Sequence, residues 1–232
     1  MDLACFPENV ARVRAQIAAA CADAGRDASE VRLVAASKYG DAAAVRALYD
    51  CGLRDFGENR VEAALEKITA LSALPDIRWH FIGHLQRNKA RKIAPVLGWL
   101  HSADALELLE ILEKQRETAG APLDFLLEVN IGGEESKSGL TPDAAPAFAR
   151  AASRFPHLRL QGLMGMAPLH TDNDTARPFF RRLRELRDAI SDELGRPLPE
   201  LSMGMSHDFA AAVAEGATMV RVGSALFAQN GF

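Results

Sequence analysis

The chain is poor in cysteine, in aromatic residues other than phenylalanine, and in net charge. Its 232 residues include three cysteines, two tryptophans and two tyrosines, and the formal net charge is −4. Cys5, Cys21 and Cys51 form no CxxC pair, and their number is odd. That excludes a disulfide framework, and reduced thiols in a cytoplasmic protein are the expectation. With no basic excess, nothing recommends a nucleic-acid partner. No apolar run approaches a membrane span. The opening "MDLACFPENVARVRAQ" turns charged and helical too soon for a signal peptide. No Pro/Gly-rich linker divides the chain, so a single domain over residues 1–232 is expected.

What is present is an alternation. Hydrophobic residues make up 48% and charged residues 25%, the balance of a soluble globular protein. An amphipathic helix is predicted over 8–24, with Val10, Val13, Ile17 and Ala20 on one face. Short apolar runs predict strands at 31–37, 53–56, 78–82, 99–102, 125–130, 160–164, 201–203 and 219–222. Helical patterns follow them at 41–51, 60–71, 87–97, 103–118, 142–155, 175–194 and 209–215, with a short closing helix after Gly223. Strict βα alternation means parallel strands with helical crossovers. Eight such units close into a (β/α)₈ TIM barrel with an additional N-terminal helix. An open doubly wound sheet is the competing architecture, because alternation alone does not show closure.

In such a barrel, chemistry gathers where strands end. "VRLVAASKYG" (residues 31–40) drives an apolar run into Lys38. The segments "LSMGMSHD" and "VRVGSALF" follow the last two strands with glycines and with Ser202, Ser206 and Ser224. Loops at that position commonly take a phosphate, on glycine backbone and helix N–H groups. Each serine taken alone is equally a turn or cap residue. Closure sets strand 8 beside strand 1, so Lys38 and these loops would share one mouth. An amine beside a phosphate site pairs with the anion, or condenses with an aldehyde as a Schiff base. Pyridoxal 5′-phosphate would satisfy both halves. A strand-end lysine that simply reaches solvent meets the same pattern.

Six blocks then carry a resemblance: "FGENRVEA", "WHFIGHLQRNK", "VNIGGEESKSG", "GLMGMAP", "LSMGMSHDFAAAVAEGATMVRVGSALF", and the "SK" of Lys38. Together they closely resemble the pyridoxal phosphate homeostasis proteins, which resemble the barrel domain of bacterial alanine racemase. The resemblance implies that Lys38 carries the cofactor as an internal aldimine. It implies that Arg221 approaches the pyridine nitrogen, that Ser202, Gly223 and Ser224 bind the phosphate, and that Asn59 lies beside the cofactor. A guanidinium that only donates would keep that nitrogen unprotonated and weaken the ring as an electron sink. Met203 and Met205 are expected to pack nearby. Asp208 is expected to cap or begin a helix, and His207 to start it. Lys137 matches a motif of unclear role and reads equally as a solvated loop lysine. His80 and His84 share i,i+4 spacing, but the helix starts only after His84, so no metal site is expected. "SKYGD" departs from the family pattern of a threonine and then a proline, which puts Tyr39 in the near shell of the cofactor.

Two functions compete. One is a cofactor-binding protein of intracellular vitamin B6 homeostasis, with no turnover of its own. The other is a racemase-like enzyme. A racemase of this barrel needs a second base opposite the lysine, a tyrosine from a further β-domain of the partner subunit, and this chain is expected to lack that domain. Its only tyrosines are Tyr39 and Tyr49. The binding reading is favoured, with no catalytic residue assigned and a monomer expected. A sugar-phosphate enzyme using Lys38 without a pyridine partner is a third possibility. The expected partner is the cofactor; apo-enzymes that depend on it are candidate recipients, and the sequence names none.

Overall fold

The computed structural model describes residues 3–134 and 137–228. Glu135 and Ser136 of the "VNIGGEESKSG" segment, and the end of "LFAQNGF" from residue 229 onward, lie outside the described residues.

A helix, α1 (Phe6–Asp23), precedes the repeating units. Then come β1 (Arg32–Ala36), α2 (Ala42–Asp50), β2 (Asp55–Glu58), α3 (Val61–Ala70), β3 (Arg78–Phe81), α4 (Arg87–Ile93) and β4 (Trp99–Ala103). The second half runs α5 (Leu106–Ala119), β5 (Leu123–Val129), α6 (Ala145–Ala152), β6 (Leu158–Gly165), α7 (Asn173–Leu194), β7 (Glu200–Ser202), α8 (Phe209–Ala214), β8 (Met219–Val222) and α9 (Ser224–Phe227). The eight strands form a closed parallel barrel in sequence order. Closure is made by β1 against β8, with Leu33 opposite Val220 and Ala35 opposite Val222. The barrel expectation holds and the open sheet does not.

The apolar runs become strands because both of their faces are covered, by the barrel interior and by the helices. Buried Val10, Val13 and Ile17 of α1 join that same core. The α1 helix also holds the last turn of the chain: the Asn9 amide donates to the carbonyls of Leu226 and Ala228, at 3.0 and 2.9 Å. Carbonyls at a helix end need such partners.

Two boundaries differ from expectation in a way that matters. The second strand covers Asp55–Glu58 rather than 53–56, because its polar end is buried and paired. The first strand ends at Ala36, and Ser37–Tyr39 form one 3₁₀ turn, so Lys38 stands on a turn beyond the strand. No helix among the described residues is long and apolar enough to cross a membrane.

Candidate functional site

The turn that carries Lys38 is anchored from below. Ser37 is fully buried, and its hydroxyl donates to Glu58 Oε1 at 2.7 Å. Lys67 of α3 donates through Nζ to the Ser37 carbonyl at 2.7 Å and forms an ion pair with Glu58. One buried lysine therefore ties α3, β2 and the turn together. The reason the strand runs into an amine follows: burial of Ser37 fixes the turn, and the turn turns Lys38 outward. Lys38 is exposed, with Nζ 5.0 Å from the centroid of the Tyr39 ring. Lys38 and exposed Asn59 line a cleft of about 560 Å³ together with Arg60 and Glu66.

Tyr39 connects this turn to the loop after β8. A side-chain carbon placed on Gly223 would sit 2.5 Å from Tyr39 Cε2, so only glycine fits under the ring. The ring also lies 6.0 Å from that of Phe227. Tyr39 is thus part of the wall between the lysine and the last loop. In the loop after β7, Gly204 has φ +89° and its Cα faces the Ala212 methyl, again leaving no room for a side chain. Ser206 Oγ accepts from the Ala225 N–H at 3.4 Å, which brings the two loops together. Asp208 precedes α8, but its carboxylate accepts from the Met205 N–H at 2.6 Å and does not cap the helix. Met203 is buried, as expected of a packing residue.

Ser202 is placed inside the barrel. Its hydroxyl accepts from Arg221 Nη1 at 2.6 Å and lies 2.9 Å from His101 Nδ1. The hydroxyl expected at a phosphate is therefore engaged with Arg221, and the serine that reaches the β8 loop is Ser206. Arg221 also donates through Nη2 to the Gly165 carbonyl at 3.1 Å. It is 5% exposed, so it is not a surface ion pair. Burial lowers its pKa to about 10, against the charges of Asp208 and Glu128, which hold it up. Glu128 stands near the carboxyl end of β5 and Asp208 at the start of α8, in the loop after β7, so the guanidinium lies toward the mouth of the barrel.

Sequence reasoning missed the polar interior. His80 is not paired with His84, whose ring is exposed near Asp104. Instead His80 Nδ1 lies 2.9 Å from His101 Nε2, and His80 Nε2 lies 3.0 Å from Asp55 Oδ1. Asp55 takes two bonds from Arg78, at 2.7 and 2.6 Å. The signal was available in "RWHF" and "WLHSA", where a histidine interrupts an apolar strand. Lys137 donates to the Ala167 carbonyl at 3.2 Å and pairs with Glu134, so it ties the loop after β5 to the one after β6.

Glu128, near the end of β5, is 6% exposed, and its Oε2 has no hydrogen-bond partner among the described residues. Burial pushes its pKa up to about 7, helped by the charge of Asp104 and opposed by Arg221. In the unfolded chain the carboxyl ionises near 4.5. Below that both states hold the proton and the stability is full. As pH rises from about 4.5 to about 7 the unfolded chain loses the proton first, and stability falls. The loss is on the order of 1–3 kcal/mol. Urea unfolding at pH 5 and pH 8 is expected to show Glu128→Gln gaining on the native protein as pH rises. An identical pH dependence for the two proteins would contradict this.

The arrangement is an exposed amine, two glycine-lined loops carrying hydroxyls, and a buried guanidinium toward the mouth. An exposed amine beside hydroxyl-bearing loops suits an anionic carbonyl compound. Comparison with known proteins points the same way. The family model described as alanine racemase, N-terminal domain, matches residues 2–230. A pyridoxal phosphate homeostasis protein of Pseudomonas aeruginosa is 48% identical over 220 residues, covering 95% of this chain and 94% of its own. The structure of PipY from Synechococcus elongatus with PLP bound is similar with a TM-score of 0.84 and 36% identity, covering 96% of this chain and 99% of its own. Alanine racemase from Streptomyces coelicolor shares the fold, with a TM-score of 0.73 at 21% identity, covering 98% of this chain and 58% of its own.

Proposed function

As the chain belongs to the family of pyridoxal phosphate homeostasis proteins, we propose that it binds pyridoxal 5′-phosphate and serves intracellular vitamin B6 homeostasis without racemising amino acids. The observation that carries this is the junction of the Lys38 turn with the β8 loop through Tyr39 and Gly223, on a barrel whose interior presents Arg221. The residues fit the cofactor. Glycine at 204 and 223 lets Ala212 and Tyr39 pack directly on the loop backbone, which holds the two loops in place beside the Lys38 turn. Lys38 is the amine that bonds the aldehyde. Gly223 and Ser224, with Ser206, hold the phosphate, and Ser202 serves by fixing Arg221. Asn59 stands at the edge of the cofactor, next to the lysine. The bound cofactor supplies an electrophilic carbonyl and an electron-withdrawing ring.

Arg221 donates and cannot accept, so a ring nitrogen facing it stays unprotonated and the ring withdraws electrons weakly. Racemisation also needs a proton delivered to the face opposite the lysine. Neither tyrosine is placed for it. Tyr39 shares the lysine's turn, and Tyr49 donates its hydroxyl to Asp76 at 2.6 Å on the outer surface. The exposure of Lys38 suits uptake and release rather than protected carbanion chemistry. In this reading residues 1–232 act as one cytoplasmic, monomeric domain, and the cofactor passes to apo-enzymes that depend on it.

Titration with pyridoxal 5′-phosphate and with pyridoxal tests the binding half. Several charge-assisted hydrogen bonds to phosphate, each worth roughly 1.5–3 kcal/mol, predict at least a hundredfold preference for the ester. Equal affinities would remove the phosphate site. A coupled assay with L- and D-alanine tests the other half, and no turnover is expected. A rate of about 1 s⁻¹ or more, abolished by Lys38→Ala, would restore the enzyme reading.

A further inference from the structure

Five polar side chains from β2, β3, β4, β7 and β8 cross the barrel interior in one continuous line. It runs from Asp55 through His80, His101 and Ser202 to Arg221. His80 is 1% exposed; His101 and Ser202 are fully buried. The proton on every bond can be assigned from the Asp55 end. Burial alone would raise the Asp55 pKa, but hydrogen bonds from Arg78 and His80 hold it well below the usual carboxylate range. Asp55 therefore only accepts, and His80 Nε2 carries the hydrogen that faces it. Burial lowers the pKa of both histidines, and each ring is neutral with one N–H. His80 Nδ1 must then accept, so His101 Nε2 donates to it. His101 Nδ1 must accept in turn, and the only hydrogen available there is the Ser202 hydroxyl. Ser202 is left with a lone pair, which takes the donor from Arg221.

All four bonds point the same way, from Arg221 to Asp55. Such a chain polarises along its length. Among the described residues, the direct hydrogen bonds of Arg221 go to the Ser202 hydroxyl and the Gly165 carbonyl, and none goes to a carboxylate. The carboxylate bonded at the far end of the line is Asp55. We infer that Asp55, His80 and His101 are positioning residues for Arg221: through Ser202 they hold the guanidinium as a fixed donor toward the ring nitrogen of the bound cofactor. This role rests on the reading that the ring of pyridoxal 5′-phosphate faces Arg221. The line also has no proton to pass toward the mouth, because each hydrogen is already spent in the other direction. Around the two histidines stand Asp55, Arg78, Arg32, Trp99 and Arg221, and the single carboxylate among them is the ionised terminus.

The test has one arm without cofactor and one with it. In the cofactor-free protein, ¹⁵N NMR of the imidazoles is expected to show His80 and His101 neutral at pH 7, both as the Nε2–H tautomer. A cationic ring or an Nδ1–H tautomer at either position would overturn the assignment. In the second arm, His101→Leu and His101→Gln cut the line, Asp55→Asn removes its terminal charge, and Leu112→Ala supplies a comparable loss of stability in the helix layer. The His101 variants are expected to weaken pyridoxal 5′-phosphate binding about tenfold, the effect of one lost hydrogen bond to a charged group, and to shift the absorption band of the bound cofactor. Asp55→Asn should shift the band in the same direction, and Leu112→Ala should leave it in place. Wild-type affinity and band in the folded His101 and Asp55 variants would overturn the role, while normal uptake by the native protein kept the earlier reading intact. A native protein that takes up no pyridoxal 5′-phosphate would overturn both, and the NMR arm would still decide the direction of the line.

Discussion

Lys38→Ala is expected to abolish covalent retention of the cofactor. Native protein mixed with pyridoxal 5′-phosphate and treated with borohydride should carry one reduced adduct, and peptide mapping should place it on Lys38. The variant should carry none, and its visible absorption should be that of free cofactor. Other nearby amines are already engaged. Lys67 is buried against Glu58 and the Ser37 carbonyl, and Lys137 is held by Glu134 and the Ala167 carbonyl. An engaged ammonium must give up its partners and a proton before it can attack a carbonyl. Lys38 faces solvent with no carboxylate or carbonyl partner among the described residues, so it has only its proton to lose. An adduct that persists in Lys38→Ala, at Lys67 or Lys137, would show that the anchor has been misassigned.

The second large effect concerns stability. Lys67→Ala is expected to cost about 3–5 kcal/mol, because it leaves the buried Glu58 carboxylate without its counter-charge. Lys67 and Glu58 side chains are 8% and 1% exposed, and Glu58 Oε2 already has no partner. For a chain of this size such a loss lowers Tm by roughly 10 °C. The loss should reach the site as well, since the same ammonium holds the carbonyl beneath Lys38. Slower adduct formation on Lys38 in the folded variant is the expected companion result. The double variant Lys67→Met with Glu58→Leu should recover most of the stability, because an apolar pair of similar volume avoids the uncompensated charge. It should not recover the rate, because the hydrogen bond to Ser37 is still missing. A Lys67→Ala protein within about 1 kcal/mol of native would mean that solvent or Arg60 reaches Glu58 and that the pair is not what anchors the turn.

How much of this was legible beforehand depended on range. The alternation of apolar runs with amphipathic helices is a local property, and it determined the parallel strands, their helical crossovers and the helix before them, while the pairing of β1 with β8 decided closure. Lys38, Gly223 and Ser224 stand out as candidates for a local reason: each follows an apolar run. Asn59 and Arg221 became candidates through family resemblance, whose blocks are contiguous words in the chain. The histidines interrupting two apolar strands hinted at a polar interior, but its pairing was not legible, because residues on parallel barrel strands are buried on both faces and a period of two does not say which face holds a histidine. His101 and Ser202 are 101 positions apart, and only the circular order of the strands sets them face to face. Ser202 shows the consequence: its neighbours in sequence suggest a loop hydroxyl, while its neighbours in space make it the support of Arg221. The second strand was misplaced by two residues for a related reason, since Glu58 looks like a loop residue until Lys67 is seen to neutralise it. Sequence by itself determined where the chain runs buried and where it turns. The tertiary structure decided which polar groups are spent on each other and which remain free for a ligand, because a hydrogen bond is settled by the partner within about 3 Å, and across a barrel that partner is far away along the chain.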